Sequence, residues 1–263
     1  MSGGERPGAG RPGDLAAGDA ARRASGGTSG APVPGNAAER ASGGMPDAHA
    51  VFPADVAPLR ADDVRALTAA AAAGGVVLFP AEGVYGLAAD PRRRDAVRRT
   101  ATLKGRDPRK PSAVMFWSLD DALSAAADAG EAVREAFRRL LPGPVGVLVP
   151  NPGRRYAIAT GDGDALGIRV PRLLEPVDAL PVVQTSANPA GGPDALTVAD
   201  VPAAIRDGCA LVLDRGPRPG TASTIVDLRG LADARGTWRV VREGAVPRAV
   251  VAAALDGLGS PED

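Results

Sequence analysis

Four cations, Arg109 among them, crowd one short stretch of this chain. In LKGRDPRKP, Lys104, Arg106 and Lys110 fall between residues 103 and 111. Two other polar segments also abut apolar runs. One is FPAEGVYGLAAD at 79–90, which holds Glu82 and Tyr85. The other is VVQTSANPAGG at 182–192, which holds Thr185, Ser186 and Asn188. An open α/β sheet binds ligands in the crevice beyond its strand ends, where such residues would gather. Arginine offers a planar fork and lysine a compact point charge to phosphate oxygens. At about 1.5–3 kcal/mol per charge-assisted bond, two or three would carry most of a nucleoside triphosphate's affinity. Each segment alone also has a structural explanation. A helix C-terminus favours cations through its dipole, and a strand-end turn uses the same hydroxyls locally.

Rare residues exclude other chemistry. The chain has one histidine, His49, and one cysteine, Cys209. An internal disulfide and a Cys/His zinc site are therefore excluded. A Ser-His-Asp triad would need the N-terminal tail to fold back. Cys209, inside the apolar run CALVLD, reads as a small core residue. GxxxxGK[ST] does not occur, and GVYGLA lacks the dinucleotide spacing. What remains is Lys, Arg, Ser, Thr, Asn, carboxylates and backbone, a set suited to nucleotidyl transfer. Arg169 in LGIRVP sits in an apolar strand and must find an anion or solvent. Ser223-Thr224 opens STIVDL, and Arg242 closes WRVVR. Formal net charge is zero, and aromatics at 3% are too few for a base-stacking platform.

These residues need elements to position them. Residues 1–50 are rich in Gly, Ala, Pro, Ser and Arg and read as a disordered, low-complexity tail. Met45, after a Gly-Gly pair, is a candidate alternative start. Asp62 or Asp63 caps a helix through about residue 73, ended by Gly74-Gly75. Further helices are expected over 91–103, 119–129, 131–141, a short one ending near 206, and 247–255. Strands are expected at 76–80, 113–117, 145–150, 166–170, 181–185, 210–214, 223–228 and 238–242. Helix and strand alternate early, then strands dominate. This predicts one α/β domain over 51–256 with a mixed parallel and antiparallel sheet and flanking helices. Residues 257–263 read as a frayed end. Apolar runs fall short of the ~20 residues of a membrane span, and no signal-peptide core is visible, so a cytoplasmic location is expected.

In order and spacing, PAEGVYGLA (80–88), KGRDPRKP (104–111), PGPVG (142–146), GIRVP (167–171), SAN (186–188), STIVD (223–227) and REG (242–244) resemble the YrdC-like threonylcarbamoyl-AMP synthase family, in its short single-domain form. The resemblance covers about residues 60–250. It implies a twisted sheet with a concave basic groove. It also implies synthesis of threonylcarbamoyl-AMP and pyrophosphate from L-threonine, bicarbonate and ATP with Mg²⁺. Partner enzymes would then carry the group to adenosine 37 of tRNA, with tRNA or double-stranded RNA as a further contact and no membrane. By motif position, Lys104 and Arg106 would be catalytic. Arg106, Lys110, Asn188, Thr197 and Arg242 would hold ATP, and Glu82, Tyr85, Arg169, Ser186, Ser223 and Thr224 the amino-acid substrate. No resident metal ligands are expected. The family's threonines are Ala81, Gly83 and Gly146 here, and a histidine that some members carry is Met115. A site that bonds a hydroxyl discriminates through it, so selectivity for threonine is expected to be relaxed or changed. Two alternatives stay open: a carbamoyl-adenylate enzyme with another acceptor, and an RNA-binding module.

Overall fold

The computed structural model describes residues 59–161, 163–233 and 235–262. The tail over 1–50 and the start of the domain at 51 lie outside them. The chain opens with helix α1 (Ala61–Ala72) and ends that helix at Gly74, whose φ of 96° suits glycine. Asp63 acts from inside the first turn, where its carboxylate accepts the Arg60 amide at 3.3 Å. Strand β1 (Val77–Pro80) turns back into β2 (Tyr85–Ala89). Then follow α2 (Arg94–Leu103), β3 (Ala113–Met115), α3 (Leu119–Ala125), α4 (Glu131–Leu140), β4 (Val145–Pro150) and the single turn α5 (Ala157–Thr160). The second half holds β5 (Ala165–Arg169), β6 (Val182–Ser186), α6 (Ala203–Arg206), β7 (Leu211–Val212), β8 (Thr224–Asp227), β9 (Thr237–Arg242), α7 (Arg248–Ala254) and β10 (Ser260–Pro261).

The strands form one mixed sheet in the order β10-β9-β8-β4-β5-β3-β6-β2-β1-β7. Parallel pairs β4–β8 and β3–β5 alternate with antiparallel pairs such as β4–β5 and β2–β6. The expected mixed α/β class is thus present. On one face, Val133, Phe137 and Leu140 of α4 pack on Val147, Ile168 and Val226, with Val251 of α7 beside them. On the other, Val64 and Leu67 of α1 cover Val77, Phe79, Met115 and Val182. A third cluster sets Leu78, Tyr85 and Leu87 against Val201 and Ile205. Strand β1 is buried on both faces, which is why it reads as a continuous apolar run. Each fully buried Leu or Phe contributes about 1.5–3 kcal/mol.

Two expectations are corrected. The segment after Pro80 is not only a ligand loop. Its second half is the fully buried strand β2, deep in the sheet. Small residues mask it from a reading based on β-branched density. They also serve it: a Cβ at Gly86 would meet Gln184 Nε2 at 3.0 Å and Phe79 Cε1 at 3.1 Å. The end expected to fray instead pairs. Ser260 and Pro261 lie parallel to Thr237 and Trp238, and the Glu262 amide donates to the Trp238 carbonyl at 2.8 Å.

Among the described residues, the apolar cluster under α1 includes no residue of β5, β4, β8 or β9. Register pairs Arg169 with Gly146, Gly146 with Ile225, and Ile225 with Arg242. Paired residues face the same side of a sheet, so these four form one row across the floor of a groove.

Candidate functional site

The groove above that row has a volume of about 270 Å³. Arg106, Arg169, Ser186, Ser223 and Arg242 line it, contributed by the turn after α2, by β5, by β6, by the approach to β8 and by β9. Two larger clefts occur among the described residues, of about 1000 and 680 Å³. Neither holds one of the candidate site residues. The first is lined largely by apolar groups such as Phe116, Tyr156 and Leu180. The smaller groove is the better candidate because the flagged groups converge there.

Lys104 caps α2 at its C-terminus, and Gly105, at φ 59°, turns the chain so that Arg106 can reach the groove. The Lys104 side chain is buried and spans to the end of β6. Its Nζ donates to the Ser186 carbonyl, to the Asn188 carbonyl at 2.6 Å and to Asn188 Oδ1 at 3.0 Å. An ammonium has three donors, and here all three are engaged within the protein. Burial pulls its pKa down to about 8, helped by the Arg106 charge and opposed by Asp194. Asn188 is equally engaged. Its Oδ1 also accepts from Ser186 Oγ at 2.5 Å, and its Nδ2 donates to the Gly192 carbonyl at 2.6 Å. Lys104 thus fastens the 186–188 turn and stands behind the lining. Arg106 Nη2 donates to the Pro111 carbonyl at 2.5 Å, and burial lowers its pKa.

Arg169 is buried at the groove floor. Nη1 donates to Gln184 Oε1 at 3.1 Å, and Nη2 to Ser223 Oγ at 2.5 Å. Glu82 Oε2 lies 3.4 Å from the same Nη2, while Oε1 accepts the Arg172 amide at 3.1 Å. Burial opposes both charges, raising Glu82 and lowering Arg169, and their mutual attraction offsets part of that cost. The Arg169 Nε is buried with no hydrogen-bond partner among the described residues. Arg242 anchors to the Ser223 carbonyl through Nη2 at 2.7 Å.

Seven candidate residues do not line the groove: Glu82, Lys104 and Asn188 support residues that do, as described above, and Tyr85, Thr224, Thr197 and Lys110 are engaged elsewhere. The Tyr85 hydroxyl lies 2.7 Å from Asp214 Oδ1, away from the row, and burial with Asp214 pushes its pKa up to about 12. Thr224 Oγ1 donates to the Val246 carbonyl at 2.6 Å and accepts the Gly244 and Val246 amides at 2.9 and 3.0 Å, so it staples the turn after β9. Thr197 forms a reciprocal turn with Asp200. Lys110 is exposed, with its amide bonded to the Asp107 carbonyl at 3.1 Å. Conversely, Ser112, Gln184, Asp194 and Ile225 line the groove without having been singled out. Gln184 lay in the quoted VVQTS segment. Ile225 lay in the quoted STIVD segment, and Asp194 carries no distinctive local pattern. Cys209 is half-buried, its Sγ on the Ile205 carbonyl, and burial pushes its thiol up to about 11.

Among the described residues, no group of three or more His, Cys, Asp or Glu is arranged to hold a metal. These residues do not fit a resident metal ion. No helix among them is long and apolar enough to cross a membrane.

The family model described as telomere recombination, Sua5/YciO/YrdC, matches residues 69–244. The threonylcarbamoyl-AMP synthase of Chromohalobacter salexigens is 35% identical over 176 residues, covering 64% of this chain and 94% of that protein. That of Xanthomonas campestris pv. campestris is 33% identical over 191 residues, covering 69% and 97%. The P. abyssi Sua5 structure complexed with L-threonine superposes with a TM-score of 0.64 at 24% identity, over 78% of this chain. The match spans 61% of that longer chain, and at this identity it speaks to the fold alone. Given a family match over residues 69–244 and a shared sheet, the chain belongs to the Sua5/YciO/YrdC family.

Proposed function

We propose that this chain is a threonylcarbamoyl-AMP synthase, a nucleotidyltransferase using L-threonine, bicarbonate and ATP. One observation carries the reading. Arg106, Arg169 and Arg242 converge with Ser186 and Ser223 on a single groove whose back wall is tied by Lys104. In this reading the threonine amine takes up bicarbonate as a carbamate, with loss of water. A carbamate oxygen attacks the α-phosphorus of ATP, and the bond to the β-phosphate oxygen breaks to release pyrophosphate. Arg106 and Arg242 face the triphosphate. The buried Arg169, oriented by Glu82, Gln184 and Ser223, takes the carboxylate or carbamate. Lys104 and Asn188 act by holding the 186–188 turn. Mg²⁺ would arrive on the nucleotide's phosphates, and no step here is assigned to it. The product would pass to tRNA threonylcarbamoyl-transfer enzymes.

The relatives' names support this assignment. A second reading, with another amino-acid acceptor, is favoured by the floor at Gly146, which presents no side chain. Incorporation of labelled bicarbonate into an adenylate, with Mg-ATP and with or without threonine, tests both. A threonine-dependent product is expected. Product formed only with another amino acid would replace threonine, and no product with any would end the synthase reading.

A further inference from the structure

Three glycines from three separate elements close on one segment. A Cβ at Gly83 would lie 1.9 Å from the Thr221 carbonyl oxygen, and one at Gly244 would lie 2.2 Å from the Ala222 carbonyl oxygen. Both contacts are with backbone, so neither position accepts a side chain unless the segment moves. Hydrogen bonds tie the segment on both flanks: the Gly220 amide donates to the Gly83 carbonyl, and the Ala245 amide to the Ala222 carbonyl, each at 2.9 Å. The third glycine differs. A Cβ at Gly146 would lie 2.8 Å from Ile225 Cδ1, the far end of a flexible side chain. With its backbone fixed by the clamp and by pairing to β4 and β9, Ile225 settles into the notch that Gly146 leaves.

We propose that Ile225, seated over Gly146, sets the depth of the groove where the acceptor's side chain rests, and so selects which amino acids enter. The inference rests on the synthase reading above. In the row Arg169, Gly146, Ile225 and Arg242, cations stand at both ends and only hydrocarbon lies between. A phosphate placed on Ile225 would lose hydration with no donor to replace it. The short side chain of an amino acid whose carboxylate meets Arg169 loses little there. Because Gly146 lacks a Cβ, Ile225 lies low and the floor is deep. A methyl group at 146 would lift Ile225 into the groove.

Pyrophosphate release by the full chain, with serine, threonine, valine and leucine as acceptors, is the test. One methylene in such a pocket is worth about 10–200-fold. Gly146→Ala should raise the KM for threonine by about tenfold or more and leave the KM for ATP in place. Ile225→Val removes Cδ1, so Gly146→Ala/Ile225→Val should recover most of the loss. Ile225→Ala should shift the leucine-to-threonine ratio of kcat/KM upward by about tenfold. Additive effects of the two exchanges would sink the proposal, as would a change confined to the KM for ATP, which would put the adenine on this floor. Should Gly146→Ala fail to fold, the Ile225→Ala acceptor ranking decides. Wild-type turnover with an unchanged ranking removes this inference alone. Wild-type chain inert with every amino acid removes the synthase reading as well.

Discussion

The Lys104 ammonium is bound to three oxygens of the 186–188 turn, and the residue is 5% exposed. Its native pKa, about 8, lies below the ordinary 10.5. Between these values the unfolded chain binds more protons than the folded one, so this group makes stability rise with pH. Below pH 8 both states are charged and the burial cost is fully present. Cys209 and Tyr85 act in the opposite direction, but only above their ordinary values of 9.0 and 10.0. Urea unfolding between pH 7 and 9 should therefore show a rising component in wild type that Lys104→Met lacks. Equal slopes would mean that Lys104 is not desolvated as described. Arg106 makes a different prediction. As a groove cation, its loss in Arg106→Ala should weaken Mg-ATP binding by about 1.5–3 kcal/mol, or about 10–150-fold, in calorimetry. Undiminished affinity would remove it from the triphosphate. The charged residues were legible because lysine and arginine at strand and helix ends are conspicuous in a sequence. The roles of Lys104 and Asn188 were not, because engagement of their polar groups depends on partners about eighty positions away.

At the scale of elements, a strand's register decides which side chains meet. Thr224 opens β8 beside Ser223, and by sequence the two look alike. They part because successive strand residues face opposite sides. Ser223 Oγ meets Arg169 in the groove, while Thr224 Oγ1 turns under β9 and holds the amides of Gly244 and Val246. Thr224→Val keeps the shape and removes three hydrogen bonds, two of them buried. At about 1–3 kcal/mol for each buried group left unsatisfied, it should destabilise the fold by at least about 2 kcal/mol in urea unfolding. It should also raise the KM for ATP, because the stapled turn follows Arg242 directly. A loss below about 0.5 kcal/mol would show that the staple is not needed. Strand β2 is the other lesson at this scale. Tyr85–Ala89 is an interior strand of the sheet, between β6 and β1, yet YGLAA has no β-branched residue and two features of a turn, a glycine and small neighbours. Close packing of β1 and β6 against it, visible only in three dimensions, is what selects the strand.

Considered whole, the molecule is one sheet with separate apolar layers on its two faces. Its class could be read early, since alternating helices and strands followed by strands restrict the choice to a mixed α/β sheet. The resemblance implied a groove, but its place on the sheet could not be read, because the row Arg169, Gly146, Ile225 and Arg242 is set by strand register and no local pattern encodes that. The two tryptophans of the chain report on opposite layers. Trp117 belongs to the α1 layer and donates its indole N–H to the Leu180 carbonyl at 2.8 Å. Trp238 is buried in the layer under α4 and α7. Both layers are built on shared strands. Alternate residues of β3 and β6 serve each, Val114 and Val183 on one side, Met115 and Val182 on the other. Neither layer can melt without exposing the back of the strands that the other needs, so unfolding should be a single cooperative event. Single-tryptophan variants, Trp117→Phe and Trp238→Phe, should give coincident urea transitions by fluorescence and circular dichroism once the small stability difference between them is allowed for. An early transition confined to Trp117 would show that the α1 layer opens first. The groove, which borders that layer at Arg169 and Gln184, would then owe its shape to a face that can come loose while the rest of the sheet holds.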